Sequence, residues 1–287
     1  MAAFRLSAIE ILGSALLHPL SGAIEKFNRA KEQFDELRAE MDQFFNTEPK
    51  PHFSLGDFDS DEWEWIERFQ VRRAPPLRFG VILGDCVHNL RSSLDHVIWQ
   101  VSMLDGGQPD AATQFPIASK SEAQFEAMAK SRIPGLSAKH RAVVKQAQPY
   151  TAGHAAASHP LAVLADLSNT DKHRIVNPTY SFVVGDAGER LDRLVESFKG
   201  PGSSPVHAFW LAKEGSRMEH GTPWFRMTWN RGVEPPHEVK MSGDLPLGIT
   251  FGDIGLDASD FPRVAESVRR VTQTFLADFP ETEFIDV

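Results

Sequence analysis

The chain has 287 residues, 41% of them hydrophobic and 24% charged, with a formal net charge of -9. These values describe an ordinary globular protein of one large or two small domains and exclude one that coats nucleic acid through a uniformly basic surface, although the 30 Lys and Arg leave a local basic cleft open. The single cysteine, Cys86, excludes an intrachain disulfide and a cysteine-rich zinc site and suits a reducing compartment.

In the amino-terminal run to Leu20, Glu10 interrupts the apolar part and no cleavage site follows, so no signal peptide is expected. The uncharged stretch Gln146 to Ala165 contains two prolines and two histidines and is not a membrane span. The expected location is the cytoplasm, with no membrane partner. The first 46 residues read as helical, broken near Pro19 and Gly22; Ile24, Phe27, Phe34, Leu37, Met41, Phe44 and Phe45 have helical spacing. Trp63 to Arg73 alternates like a strand. Pro75-Pro76 leads into a long helix over 77–103, closed by Gly106-Gly107. Ser121 and Ser137 mark the starts of two short helices, the second covering His140 to Ala147. Thr151 to Ser158 reads as a loop, and Pro160 opens a helix that runs to about His173. After Arg174 come short strand-forming runs punctuated by Gly and Pro: 175–184, 207–211, 224–229, 238–241 and 248–251. A last helix covers Asp260 to Ala277. The fold class is therefore α+β, divided as a helical part over 1–175, an antiparallel β section over 176–258 packed on that bundle, and a carboxy-terminal helix over 259–287 returning to it.

The helix over 77–103 carries the chemical signal. At about 100° per residue, Leu83, Cys86, Val87, Leu90, Leu94, Val97, Ile98 and Val101 form one apolar arc. The other arc holds Asp85, His88, Asn89, Arg91, Ser92, Asp95, His96 and Trp99. A solvated helix face is normally filled with Lys and Glu. This one has neither, and its His, Asp, Asn, Ser and Arg are residues that make directed hydrogen bonds, hold metals or move protons. The bland alternative is a buried polar network joining helices, with Arg91 and Asp95 ion-paired at i,i+4. A second polar concentration runs through Asp166, Asn169, Asp171, Lys172, His173 and Arg174, where Asp166, Asn169 and His173 share one helical side. Its composition suggests that the two faces meet; its plain alternative is a helix end with capping and dipole-complementing cations.

Arg91-Ser92-Ser93-Leu94-Asp95-His96 has the spacing Arg-x4-His on a long bundle helix, and in this it resembles the HEPN superfamily, many of whose members are metal-independent ribonucleases of defence and toxin–antitoxin systems. The resemblance covers at most the first 175 residues. It implies Arg91 and His96 as the catalytic pair, RNA as substrate, no cofactor, a homodimer that brings two motifs together, and an antitoxin partner. His would take or give the proton and Arg would hold the phosphate, while RNA supplies its own 2′-hydroxyl nucleophile. Asp95 would orient Arg91, with His88, Asn89, Ser92 and Asp85 in support. Two features depart from the family: Ser92 stands where Asn, Asp or His often follows the Arg, and the second polar cluster and the β section are not standard parts. The phrases His88-Asn89-Leu90-Arg91-Ser92-Ser93-Leu94-Asp95-His96 and Asp171-Lys172-His173-Arg174 also resemble a pattern of uncharacterised bacterial proteins, which brings no function with it.

Two other readings stay open. One is a metal-binding helical-bundle hydrolase with Asp85, His88, Asp166 and His173 as ligands. Against it, His88 and His96 lie two turns apart on one helix, about 12 Å, too far for one ion. The other is a noncatalytic nucleotide- or protein-binding module. Trp63, Trp65, Trp224 and Trp229 would offer a binding surface, or simply fill the core of the β section.

Overall fold

The computed structural model describes residues 18–183, 205, 207–232, 247–252, 256–257 and 260–279. Its elements are α1 (Ser21–Asn46), β1 (His52–Asp59), β2 (Glu64–Val71), α2 (Leu77–Leu104), α3 (Glu122–Arg132), α4 (Ala138–Gln146), a 3-10 turn (Pro149–Ala155), α5 (Pro160–Asp171), β3 (Pro178–Phe182), β4 (His207–Trp210), β5 (Pro223–Thr228), β6 (Leu247–Phe251), β7 (Leu256–Asp257) and α6 (Phe261–Leu276). The fold is α+β with helices at both ends of the described chain and antiparallel sheets between them. The helix starts follow local chemistry. Ser121 accepts the N–H of Gln124, Ser137 that of His140, and the His159 ring that of Leu161 ahead of Pro160. The expected break is a turn at Pro19 and Leu20, and Gly22 lies inside α1; the short helix expected before it and the strand over 238–241 lie outside the described residues.

The chain forms two units, and their division differs from the expected one. One contains residues 1–38, 80–176 and 259–287; the other contains 39–79 and 177–258. Residues 39–79 thus belong with the β section rather than with the helical part. The reason is strand pairing. β1 and β2 form a hairpin over His52–Val71, and the free edge of β2 pairs with β5 far along the chain, giving the order β1-β2-β5-β4. An isolated hairpin is marginal in water; a third and fourth strand complete it. The second sheet, β3-β6-β7, lies in the same unit.

In that unit most of the tryptophans named from the sequence are core, while Trp63 is half-buried. Trp65, Trp224 and Trp229 are buried, and Trp210 stacks on Trp224 with centroids 5.5 Å apart. Among the described residues Glu67, 2% exposed, is sealed among them. Its Oε1 accepts the Trp65 indole N–H at 2.8 Å and its Oε2 accepts the Ser54 hydroxyl, which in turn accepts the Trp224 indole N–H at 2.9 Å. Both carboxylate oxygens are therefore satisfied. Gly56 makes room for this arrangement, because a Cβ there would lie 2.2 Å from the Trp65 indole.

The helical unit is organised by α2. Leu83, Cys86, Val87, Leu90, Leu94, Val97, Ile98 and Val101 are each at most 1% exposed, as the apolar arc predicts. Burial, aided by Asp85, pushes the Cys86 thiol up to about 12, so it is no nucleophile. Phe34 of α1 stacks on Phe261 of α6 at 4.0 Å. His140 of α4 is buried, with Nδ1 2.8 Å from Asp105 Oδ2 at the end of α2 and Nε2 3.4 Å from Asp278 Oδ2 just past α6. On α2, Gly80 and Gly84 let the end of α5 and the chain after it pass closely: a Cβ at Gly80 would lie 2.0 Å from the Val176 carbonyl oxygen, and one at Gly84 2.1 Å from Asp171 Oδ1.

Replacing Gly56→Ala is expected to push the Trp65 indole off Glu67 and destabilise the fold by about 1–3 kcal/mol. Urea unfolding checks this, and an unchanged midpoint would contradict the packing described.

Candidate functional site

The polar arc of α2 divides into side chains that are pinned and side chains that are presented. Asn89, Ser93, Arg91 and Asp95 are pinned. Asn89 donates to Gln33 Oε1 at 2.8 Å and accepts from Lys26 Nζ at 3.2 Å; Ser93 donates to the Ala23 carbonyl at 2.8 Å. These three contacts fix the register of α2 on α1. Arg91 and Asp95 pair at 3.0 Å, and together they grip one backbone residue. Arg91 donates to the Phe115 carbonyl at 2.6 Å, and the Phe115 N–H donates to Asp95 Oδ1 at 2.8 Å. Burial lowers the Arg91 pKa and raises that of Asp95, while the attraction between them opposes both shifts. The buried-network alternative for this pair therefore describes its contacts.

His96 is presented. It is exposed and lines a groove of about 500 Å³ together with His18, Gly22, Asp95, Trp99 and Gln100. Gly22 keeps the space beside the ring open, since a Cβ there would lie 3.1 Å from His96 Nδ1. Burial lowers the His96 pKa, the Lys26 charge lowers it further, and Asp95 partly opposes them. His18 is also lowered, by burial. Its Nδ1 accepts the Leu20 N–H at 3.1 Å, which leaves the proton of the neutral ring on Nε2. The groove thus holds two imidazoles biased towards the neutral state.

The second polar cluster reaches α2 through one member. Asp171 sits against Gly84, and its carboxyl is pushed up by burial and by Asp85, and drawn down by His88. Ser92 Oγ lies 3.4 Å from His88 Nε2. Asp166, Asn169, Lys172, His173 and Arg174 are exposed. Among the described residues no group of three or more His, Cys, Asp and Glu is placed to hold a metal ion, so Asp85, His88, Asp166 and His173 do not assemble as a ligand set.

His18, Lys26, Gly22 and the Phe115 backbone escaped the sequence reading. Gly80 and Gly84, four apart on a helix, were the available signal for a close crossing. Nothing local marks His18 as a partner of His96, which lies 78 positions away. Among the described residues no helix is long and apolar enough to cross a membrane.

Two outcomes are expected. Asp95→Ala leaves the half-buried Arg91 without its counter-charge and the Phe115 N–H without its acceptor, and costs about 3 kcal/mol in chemical unfolding; a loss below about 0.5 kcal/mol would contradict the clamp. By NMR, His96 titrates below about 6.5, the ordinary imidazole value, and Lys26→Gln moves it upward. The sign follows from the lowered folded pKa: the neutral ring is the form the fold favours, so this contribution is present above the ordinary value and lost as pH falls through the folded one. An unmoved titration in Lys26→Gln would contradict the assigned cause. Compared with protein-family models, curated proteins and solved structures, the chain matches none of them.

Proposed function

We propose that the chain is a metal-independent, HEPN-like endoribonuclease with His96 as its acid–base group. The observation that carries this reading is the pair of neutral-biased imidazoles, His96 and His18, in one groove. Cleavage of RNA by its own 2′-hydroxyl needs proton transfer and charge stabilisation at phosphorus and no resident cofactor. His96 takes the 2′-hydroxyl proton as that oxygen attacks phosphorus. The bond to the 5′-oxygen breaks, and the imidazolium returns the proton to the departing oxygen, leaving a 2′,3′-cyclic phosphate and a 5′-hydroxyl.

Arg91 has a changed part in this reading. Its guanidinium is engaged by Asp95 and the Phe115 carbonyl, so it is a positioning residue for the groove wall. Phosphate charge falls instead to the Nε2–H of His18 and to Lys26, the cation whose field already reaches His96. Trp99, 39% exposed beside His96, offers a face for a base to stack on. With RNA as substrate the compartment is the cytoplasm, and the role is that of a toxin or defence effector held in check by an antitoxin.

The test is incubation of the purified protein with RNA in excess EDTA. Cleavage ending in cyclic phosphate is expected, reduced at least about 100-fold in His96→Ala with circular dichroism unchanged. Intact RNA with the wild-type protein, or full activity in His96→Ala, would overturn the reading.

A further inference from the structure

The proton on His18 Nε2 serves the groove only if it points there. Two things decide that: which ring nitrogen bears the proton, and how the ring is tilted. The first is set locally, where Nδ1 accepts the Leu20 N–H at 3.1 Å just ahead of α1. The second is not, because the outer torsion of a histidine is broad and one hydrogen bond lets the ring swing about it. The contact that removes this freedom comes from the other end of the described chain. The ring of Phe279 meets that of His18 edge to face, with centroids 5.8 Å apart and planes at 66°.

Phe279 is itself held. It is 8% exposed and follows Phe275 by four residues, and the two rings pack on two histidines. Phe275 lies against the buried His140 with centroids 5.9 Å apart, and Phe279 against His18. Between them Asp278 accepts from Lys139 Nζ and stands 3.4 Å from His140 Nε2, so α4 grips the end of α6 by charge as well as by packing. The other ring nitrogen of His140, Nδ1, lies 2.8 Å from Asp105 Oδ2, directly after α2. Asp105 also accepts the Ser137 N–H at 2.7 Å, which fixes the start of α4 on the end of α2. One run of contacts therefore leads from the helix that carries His96 to His18: Asp105, His140, Asp278, then Phe279. All of it lies within the helical unit.

We propose that Phe279 is a positioning residue for His18: the end of α6, latched to α2 through His140, holds the imidazole in the tautomer and tilt that present Nε2–H to the groove. Without a ring at 279 the imidazole swings off the Leu20 N–H, and its proton distributes between the two nitrogens. The positioning stands on these contacts alone. Its kinetic consequence rests on the reading of the groove as a ribonuclease site, in which that N–H meets phosphate charge.

The experiment uses the full chain labelled with nitrogen-15, whose imidazole shifts distinguish a nitrogen that bears a proton from one that does not. At about pH 8, above the ordinary imidazole value, wild-type His18 is expected with its proton on Nε2. In Phe279→Leu, which keeps an apolar side chain at the position, the two shifts are expected to converge, and kcat on RNA to fall at least about tenfold with KM unchanged. Phe279→Tyr restores a ring and is expected to match the wild type in both readouts. His18→Ala is expected to lose about 100-fold in kcat, and the double variant with Phe279→Leu no more than that, because Phe279 acts through His18. An unmoved His18 tautomer in Phe279→Leu, a Phe279→Tyr protein no better than Phe279→Leu, or losses that multiply in the double variant would overturn the positioning role. The shifts need no RNA. The expected shifts in a protein that cuts nothing keep the positioning and remove the ribonuclease; cleavage by a protein whose His18 is indifferent to Phe279 does the reverse.

Discussion

The helical unit depends on the burial of one arc of α2. Eight apolar side chains along it are almost wholly removed from water, at about 1.5–3 kcal/mol for each large one. That burial draws the flanking polar positions inward, where an unpaired donor or acceptor costs about 1–3 kcal/mol. The two quantities are similar in size, so the polar flank decides between arrangements that bury the arc equally well. Asn89, Ser93, Arg91 and Asp95 have partners on α1 and at Phe115 that only one register supplies.

Helical pitch gives the Arg-x4-His spacing two different jobs. Five residues turn the helix by about 140°. Arg91 therefore rolls inward and is spent on Asp95 and Phe115, while His96 rolls outward into the groove. A sequence motif suggests two residues acting side by side. On a single helix this spacing instead yields one that sets the wall and one that faces what the wall encloses.

Much of the fold was legible because its signals are local. The period of α2 named eight buried residues of its core arc, though not the buried Phe79 and Ile82 nearer its start, and Ser121, Ser137 and Pro160 marked the starts of α3, α4 and α5. The pairing of β2 with β5 was not legible, because an edge strand's partner is chosen by packing across the chain rather than by its neighbours. The site was legible in the same measure. His96 stood out by its company on one helix, whereas His18 joins it only through tertiary structure. The division of the polar arc into pinned and presented halves required knowing where α1 and Phe115 lie.

The two units are interleaved along the chain. The helical one takes its last element, α6, from beyond the strands, and the sheet unit takes its first hairpin from between two helices of the other. During synthesis, which proceeds from the amino terminus, neither unit has all its parts until the ribosome has passed β7 or α6. α2 emerges early, but the α6 ring that stacks on Phe34 and the Asp278 beside His140 emerge only after all the described strands. A chain stopped before α6 therefore has every residue that lines the groove, from His18 to Thr113, but lacks Phe279, whose ring lies against that of His18.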